Sequence, residues 1–274
     1  MAELFDNIFN PQSIYETLFF NVKPVLIYPT LKELEKENKA MFERWKYISK
    51  SKYNFDLDVL RFVAGTMTNE TPENEENIYL DNAVYYPEFS KIVAITYATL
   101  YVEDGMLKRF MKKIVDNDEL VVLNTFMDEL KQLSSDGMKS TPHYFPTLCG
   151  HNILKHDIPL LIKRFVFYRD NFDEKDKNIP HILKHCLTQK PWESGVIDTV
   201  NVWKFGGYDN SPLMLISDFL NLKKSVDLLP LPEVSKKYWE TIDDNPEEAL
   251  KFVSLQSAIQ TNFVIQIMNE LRQL

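Results

Sequence analysis

The densest run of chemistry-bearing side chains is Cys149-Gly150-His151-Asn152-Ile153-Leu154-Lys155-His156-Asp157-Ile158-Pro159. A glycine closes a short apolar run, and an amide and a carboxylate stand five positions apart across the start of a helix. An aspartate so placed can offer oxygen to a divalent cation, or it can cap nearby backbone groups. His143, His151 and His156 fall on a strand end, a turn and a helix start, a scatter that suits ordinary polar contacts better than a metal trio. His181 and His185, followed by Cys186, have the i,i+4 spacing that zinc can use on a helix. No second ligand pair stands nearby, and a solvent-facing helix is the plainer reading. The two cysteines, Cys149 and Cys186, supply neither a disulfide framework nor a thiolate cage. That usage fits a reducing compartment.

The elements that must position these residues read as alternating strands and helices. A strand is expected near 16–23, followed by a turn, because Pro24 cannot sit in an undisturbed central strand. Leu31, Leu34, Met41, Phe42 and Trp45 predict a helix over Leu31–Ser49, and Leu57, Leu60, Phe62 and Val63 a second helical piece. Residues 65–82 are polar and acidic and read as a surface loop whose four glutamates face solvent. Lys91–Val102 is the strongest strand, β-branched and aromatic. Glu103-Asp104-Gly105 signals a hairpin, with Met106–Val115 as the return strand. Asp118–Leu133 is an amphipathic helix, Tyr144–Cys149 a short strand, Lys155–Arg169 a helix with Pro159 in its first turn. Val196–Val202 is a further strand candidate and Pro212–Leu222 a short helix. Asn245-Pro246-Glu247-Glu248 supplies a cap, a first-turn proline and first-turn acids for a helix running to about Leu271. The order predicts an α/β fold with a mixed sheet flanked by helices, as a single domain over 1–274 with an inserted helical and acidic segment at about 30–85.

Composition bounds the function classes. The 274 residues are 45% apolar, 26% charged and 13% aromatic, which places the chain among ordinary globular proteins. No run approaches the ~18 apolar residues a membrane span needs, and Met1–Asn10 lacks the basic start of a secretory leader. A cytoplasmic location is therefore expected, or a virus particle if the chain is viral. The net charge of −9 argues against sequence-independent coating of duplex DNA, though a local basic groove can coexist with it.

The Cys149–Pro159 string resembles the second exonuclease motif of DEDD-type 3′–5′ exonucleases, within the ribonuclease H-like fold. More narrowly, the chain is similar to the predicted 3′–5′ exonuclease family related to the proofreading domain of family-B DNA polymerases. Tyr28-Pro29-Thr30 resembles the segment after that family's first strand, and Tyr86-Pro87-Glu88-Phe89-Ser90-Lys91-Ile92-Val93 the lead-in to its second. Lys190-Pro191-Trp192-Glu193, Asp198-Thr199 and Trp203-Lys204-Phe205-Gly206 resemble its late core string, and Tyr238-Trp239 precedes the last helix as in the family. The resemblance runs over roughly residues 17–272.

Such exonucleases hold two divalent ions about 3.5–4 Å apart with four carboxylates. The resemblance implies an Asp and a Glu two apart on the first strand, an Asp after the second motif, and a Tyr and an Asp four apart on the last helix. In this chain those positions fall on Asn21, Lys23, Asp157, Phe252 and Gln256. Only Asp157 keeps its carboxylate, and the Lys23 charge repels a cation. Asp157 is thus expected to be structural, paired with Lys23 or capping backbone groups, with the Lys23 ammonium filling the cation volume.

The reading is a catalytically degenerate exonuclease-like protein, retained to bind single-stranded nucleic acid or a protein partner, with His151, Asn152 and Lys155 as the nucleic-acid-binding candidates and no cofactor. The alternative is an active 3′–5′ exonuclease that uses Mg²⁺ through substitute ligands such as Asp6, Asp157 and Asp198. A third possibility is a virus particle component that reuses the fold.

Overall fold

The structure is a computed structural model and describes residues 15–53, 73–138, 147–173, 183, 196–208, 210–222 and 226–272. Its strands are β1 (Thr17–Leu26), β2 (Ser90–Glu103), β3 (Met106–Val115), β4 (Thr147–Gly150) and β5 (Val196–Asp198). The helices before β2 are α1 (Leu31–Glu37), α2 (Lys39–Tyr53) and α3 (Glu73–Asn82). Those after it are α4 (Glu119–Met138), α5 (Asp157–Phe167), α6 (Thr199–Trp203), α7 (Leu213–Phe219), α8 (Leu231–Ile242) and α9 (Pro246–Leu271).

The five strands form one sheet in the order β3-β2-β1-β4-β5. The β2–β3 pair is antiparallel, while β1–β4 and β4–β5 are parallel, so the sheet is mixed. This is the expected α/β architecture with helices against the sheet, and it is compatible with a ribonuclease H-like fold. Among the described residues no helix is long and apolar enough to cross a membrane.

The chain divides into two compact units. The first contains 1–23, 92–229 and 250–274. Its sheet faces follow the two-residue period of a strand. Leu18, Phe20 and Val22 of β1 join one core with Val122, Phe126, Leu161 and Phe165 of α4 and α5. Phe19 points the other way, into a core with Ile216 of α7 and Ile259, Phe263 and Ile267 of α9. The second unit contains 24–91 and 230–249, and the segment expected as an insertion lies in its first piece. Its core surrounds Trp45, whose ring meets Tyr79 and Phe89 edge-on at 5.5 and 5.4 Å. There Leu26 is held at both backbone groups, its N–H by Ser235 Oγ and its carbonyl by Trp239 Nε1.

Several elements depart from the sequence reading. The helix expected over Leu31–Ser49 is two, broken at Asn38, whose side chain accepts the Met41 N–H of the second. The expected surface loop at 65–82 contains α3. Glu75 and Tyr79 form its buried i,i+4 pair, continued by Ala83 just past its end, and Glu76 accepts the Leu31 N–H, so neither glutamate faces only solvent. Residues 65–72 lie outside the described residues, as do Leu57–Val63 and Tyr144–Pro146. The strand candidate Val196–Val202 stops at Asp198, whose side chain caps α6 by accepting the Val200 N–H at 3.0 Å. Pro24 does lie within β1. β4 pairs with β1 only over Thr17–Phe19, so the strand beyond has an open side that tolerates a missing N–H.

Candidate functional site

The polar centre forms where β4 has ended and β1 continues. Asn21 and Lys23 lie two apart on β1 and so share the face of Phe19, which is turned to α9. Val22, between them, lies beyond the β4 ladder, and its N–H goes to Asp157 Oδ2 at 3.1 Å. The same oxygen accepts from Asn21 Nδ2 at 3.2 Å, and Oδ1 meets His156 Nδ1 at 2.7 Å. Asp157 opens α5, where a carboxylate also favours the exposed N–H groups of the first turn. From α9, Ser257 Oγ donates to Asn21 Oδ1 at 3.2 Å. The Lys23 ammonium donates to Gln260 Oε1.

Lys23 is only 4% exposed. Burial pulls its pKa down to about 8, against the raising influence of Asp157. It is therefore mostly protonated at pH 7. The expected Lys23–Asp157 ion pair is not made: among the described residues no ion pair joins them, and Asp157 acts on the ammonium only through space. The reason is local. Asp157 is already occupied by the open edge of β1 and by His156, and α9 presents an amide oxygen to the ammonium.

The turn after β4 is built on a second carboxylate. Asp198 Oδ1 accepts the Asn152 N–H at 2.9 Å as well as that of Val200, and Oδ2 accepts the Leu154 N–H at 3.1 Å. Burial raises its carboxyl above the ordinary value, opposed by these donors and reinforced by the Asp157 charge. Asn152 holds φ at 59°, the left-handed region that asparagine tolerates best after glycine. Gly150 permits the tight crossing, since a Cβ there would come within 3.0 Å of the Phe20 carbonyl oxygen.

Of the nucleic-acid candidates, Asn152 and Lys155 are exposed and His151 is not. Burial pulls the His151 pKa to about 4, opposed by Asp157 and a backbone hydrogen bond at Ser211. The ring is neutral at pH 7 and its Nδ1 lies 2.9 Å from Thr199 Oγ1, so it brings no cation to a phosphate. Gln256, expected at the centre, instead clamps a loop: it accepts the Leu229 N–H and donates to the Asp227 carbonyl. Phe252 is half-buried on the same helix. Among the described residues, the α9 side chains that hydrogen-bond β1 are Ser257 and Gln260, which the sequence reading missed. Gln260 lies one helical turn beyond Gln256, and the continued four-residue spacing was the signal that could have found it. Asp6, His143, His181, His185 and Cys186 lie outside the described residues.

This donor set does not fit a two-cation site. Its oxygens are one carboxylate, neutral amides and the Ser257 hydroxyl, and a buried ammonium stands among them. Among the described residues no three His, Cys, Asp or Glu side chains group as metal ligands. What the arrangement can do is hold the end of β1, α5 and α9 together through satisfied polar contacts. No protein-family model matches the chain, and neither a curated protein nor a solved structure matches it.

Proposed function

We propose that this chain is a catalytically degenerate exonuclease-like protein that works as a binding or structural module. The observation that carries the reading is the buried Lys23 ammonium, bonded to Gln260, on the face of β1 that also presents Asn21 to Asp157. A two-metal site for phosphodiester hydrolysis needs concentrated negative charge to hold its cations, and here one carboxylate sits beside a lysine. The substitute-ligand reading has less support: both Asp198 oxygens already accept backbone N–H groups. Fold similarity is no argument for activity, which belongs to the site.

The test is release of nucleotides from 3′-labelled single-stranded DNA in Mg²⁺ or Mn²⁺. No release above a buffer blank is expected. EDTA-sensitive release that Asp157→Ala abolishes would overturn the reading.

A further inference from the structure

We propose that the β2–β3 hairpin binds single-stranded nucleic acid, with bases stacking on Tyr101 and Phe110 and the cations of β3 meeting the phosphates. The surface is separate from the Lys23 centre, and the proposal stands without the reading above.

The charge is local and opposite to that of the chain. β3 carries Lys108, Arg109, Lys112 and Lys113 and no acid, in a protein of net charge −9. The ladder fixes which side chains share a face. Tyr97 pairs with Lys112, Thr99 with Phe110 and Tyr101 with Lys108, and alternate pairs point the same way. One face therefore carries Phe110 and Tyr101 at the surface with Lys108 and Lys112, while Tyr97 on the same face is buried. The Tyr97 and Phe110 rings lie 6.4 Å apart. Lys108 is paired with Glu103 in a half-exposed contact of the kind a phosphate readily replaces, and Lys112 with the more buried Glu129. On the other face Arg109 donates to Asn262, and Lys113 is exposed. Because β3 is the sheet edge, a strand lying along it can use cations from both faces.

Lysines on an edge strand have a simpler use, which is to discourage pairing with another sheet. That accounts for the cations and not for the rings. Phe110 is 51% exposed, Tyr101 43% and Met106 59%, on the same hairpin as the cations. Exposed rings among cations are what an unpaired strand engages, because every base offers a face for stacking while its backbone stays available to lysine. A duplex keeps its bases stacked inside, so the rings select the single strand.

The full chain is titrated into labelled oligothymidylate and read by fluorescence anisotropy at low and at physiological salt. Binding should weaken with salt. Phe110→Ala and Tyr101→Ala should each weaken it about tenfold, and Phe110→Trp should retain it. Lys108→Gln with Lys112→Gln should flatten the salt dependence. Phe219→Ala, an exposed ring outside the hairpin, should leave binding unchanged. Unaltered melting temperatures exclude a folding defect as the cause of any loss. Absent binding, equal binding by Phe110→Ala, an equal loss in Phe219→Ala, or tighter binding to polyglutamate than to the oligonucleotide would each overturn the proposal. None of these outcomes bears on the nuclease assay, which reads cleavage.

Discussion

Two buried carboxylates in the same unit are held in opposite ways. Glu119, at the start of α4, meets Arg164 of α5 through both oxygens, with Nε donating at 2.8 Å and Nη2 completing the fork. Its Oε1 also takes the Ile92 N–H at 2.7 Å. Arg164 in turn stacks under Phe167, its guanidinium 4.5 Å from the ring centre. Asp157 has a buried lysine within electrostatic reach and does not bond to it. Its partners are an amide, a backbone N–H and a histidine ring. The difference follows from donor geometry. A guanidinium is a planar fork that matches a carboxylate and is weakly hydrated, whereas an ammonium is a point charge satisfied by any well-placed oxygen. The Glu119 pair is therefore a mutual attachment, and the Lys23 centre is two separately satisfied charges.

Breaking the first arrangement should have the largest effect. Glu119→Gln or Arg164→Met leaves an uncompensated buried charge and should cost about 3–5 kcal/mol in urea unfolding. The pair replaced together should lose less than the sum of the single losses. Additive losses would show that the fork contributes little as a pair.

The lysine should announce itself through pH. Its folded pKa of about 8 lies below the ordinary 10.5, so the fold disfavours the charged form. The cost is complete below pH 8 and is relieved as pH rises toward 10.5, where the unfolded chain still binds the proton and the folded one does not. Relative to Lys23→Met, the wild type should gain about 3 kcal/mol of stability across that window. Buried Tyr79, with its hydroxyl raised, works the other way above pH 10, but equally in both proteins. A constant difference between wild type and variant from pH 7 to 10.5 would show that Lys23 is not desolvated.

Asp198 sharpens the contrast, since its hydrogen bonds are to three backbone N–H donors. Asp198→Ala removes a helix cap and strands donors of the turn after β4, a loss of about 2 kcal/mol. Asp198→Asn, which keeps one acceptor oxygen, should recover part of it. Equal melting temperatures for Asp198→Ala and wild type would mean that water replaces the carboxylate without cost.

Much of this arrangement was legible in the chain, and unevenly so. The β2–β3 hairpin was plain because β-branched residues flank Asp104 and Gly105, both of which adopt positive φ, 54° and 72°. The start of α9 was plain because Asn245 Oδ1 accepts the Glu248 N–H that its sequence signature promised. α3 was hidden because acidic residues outweighed a three-residue stripe in which Glu75 itself is buried. α8 was passed over although Val234, Tyr238 and Ile242 repeat every four residues and are buried. Pro230 at its cap and Pro232 in its first turn mark the helix start. At the centre, the expectation that Asn21, Lys23 and Asp157 lie together rested on the family resemblance rather than on composition or periodicity, and of the two β1 side chains only Asn21 bonds the aspartate. Gln260 did not emerge, because the motif register pointed to Gln256, and a helix's rotation about its own axis is decided by packing that composition does not reveal.

The smallest effect is the most discriminating. If Lys23 and Asp157 are separately satisfied, their coupling in a double-mutant cycle should fall well below that of Glu119 and Arg164, because the two buried charges attract through space and make no direct contact. The cycle uses Lys23→Met, Asp157→Asn and the double variant at pH 7. Asp157→Asn retains an oxygen for the Val22 N–H while removing the charge, which isolates the through-space attraction. Coupling of the size expected for Glu119 and Arg164 would mean that the ammonium swings from Gln260 to the aspartate in solution. The same cycle run with Gln260→Leu should then raise the coupling, because the lysine loses its amide oxygen and the aspartate becomes its nearest acceptor. A coupling that ignores Gln260 would assign the lysine's position to packing alone.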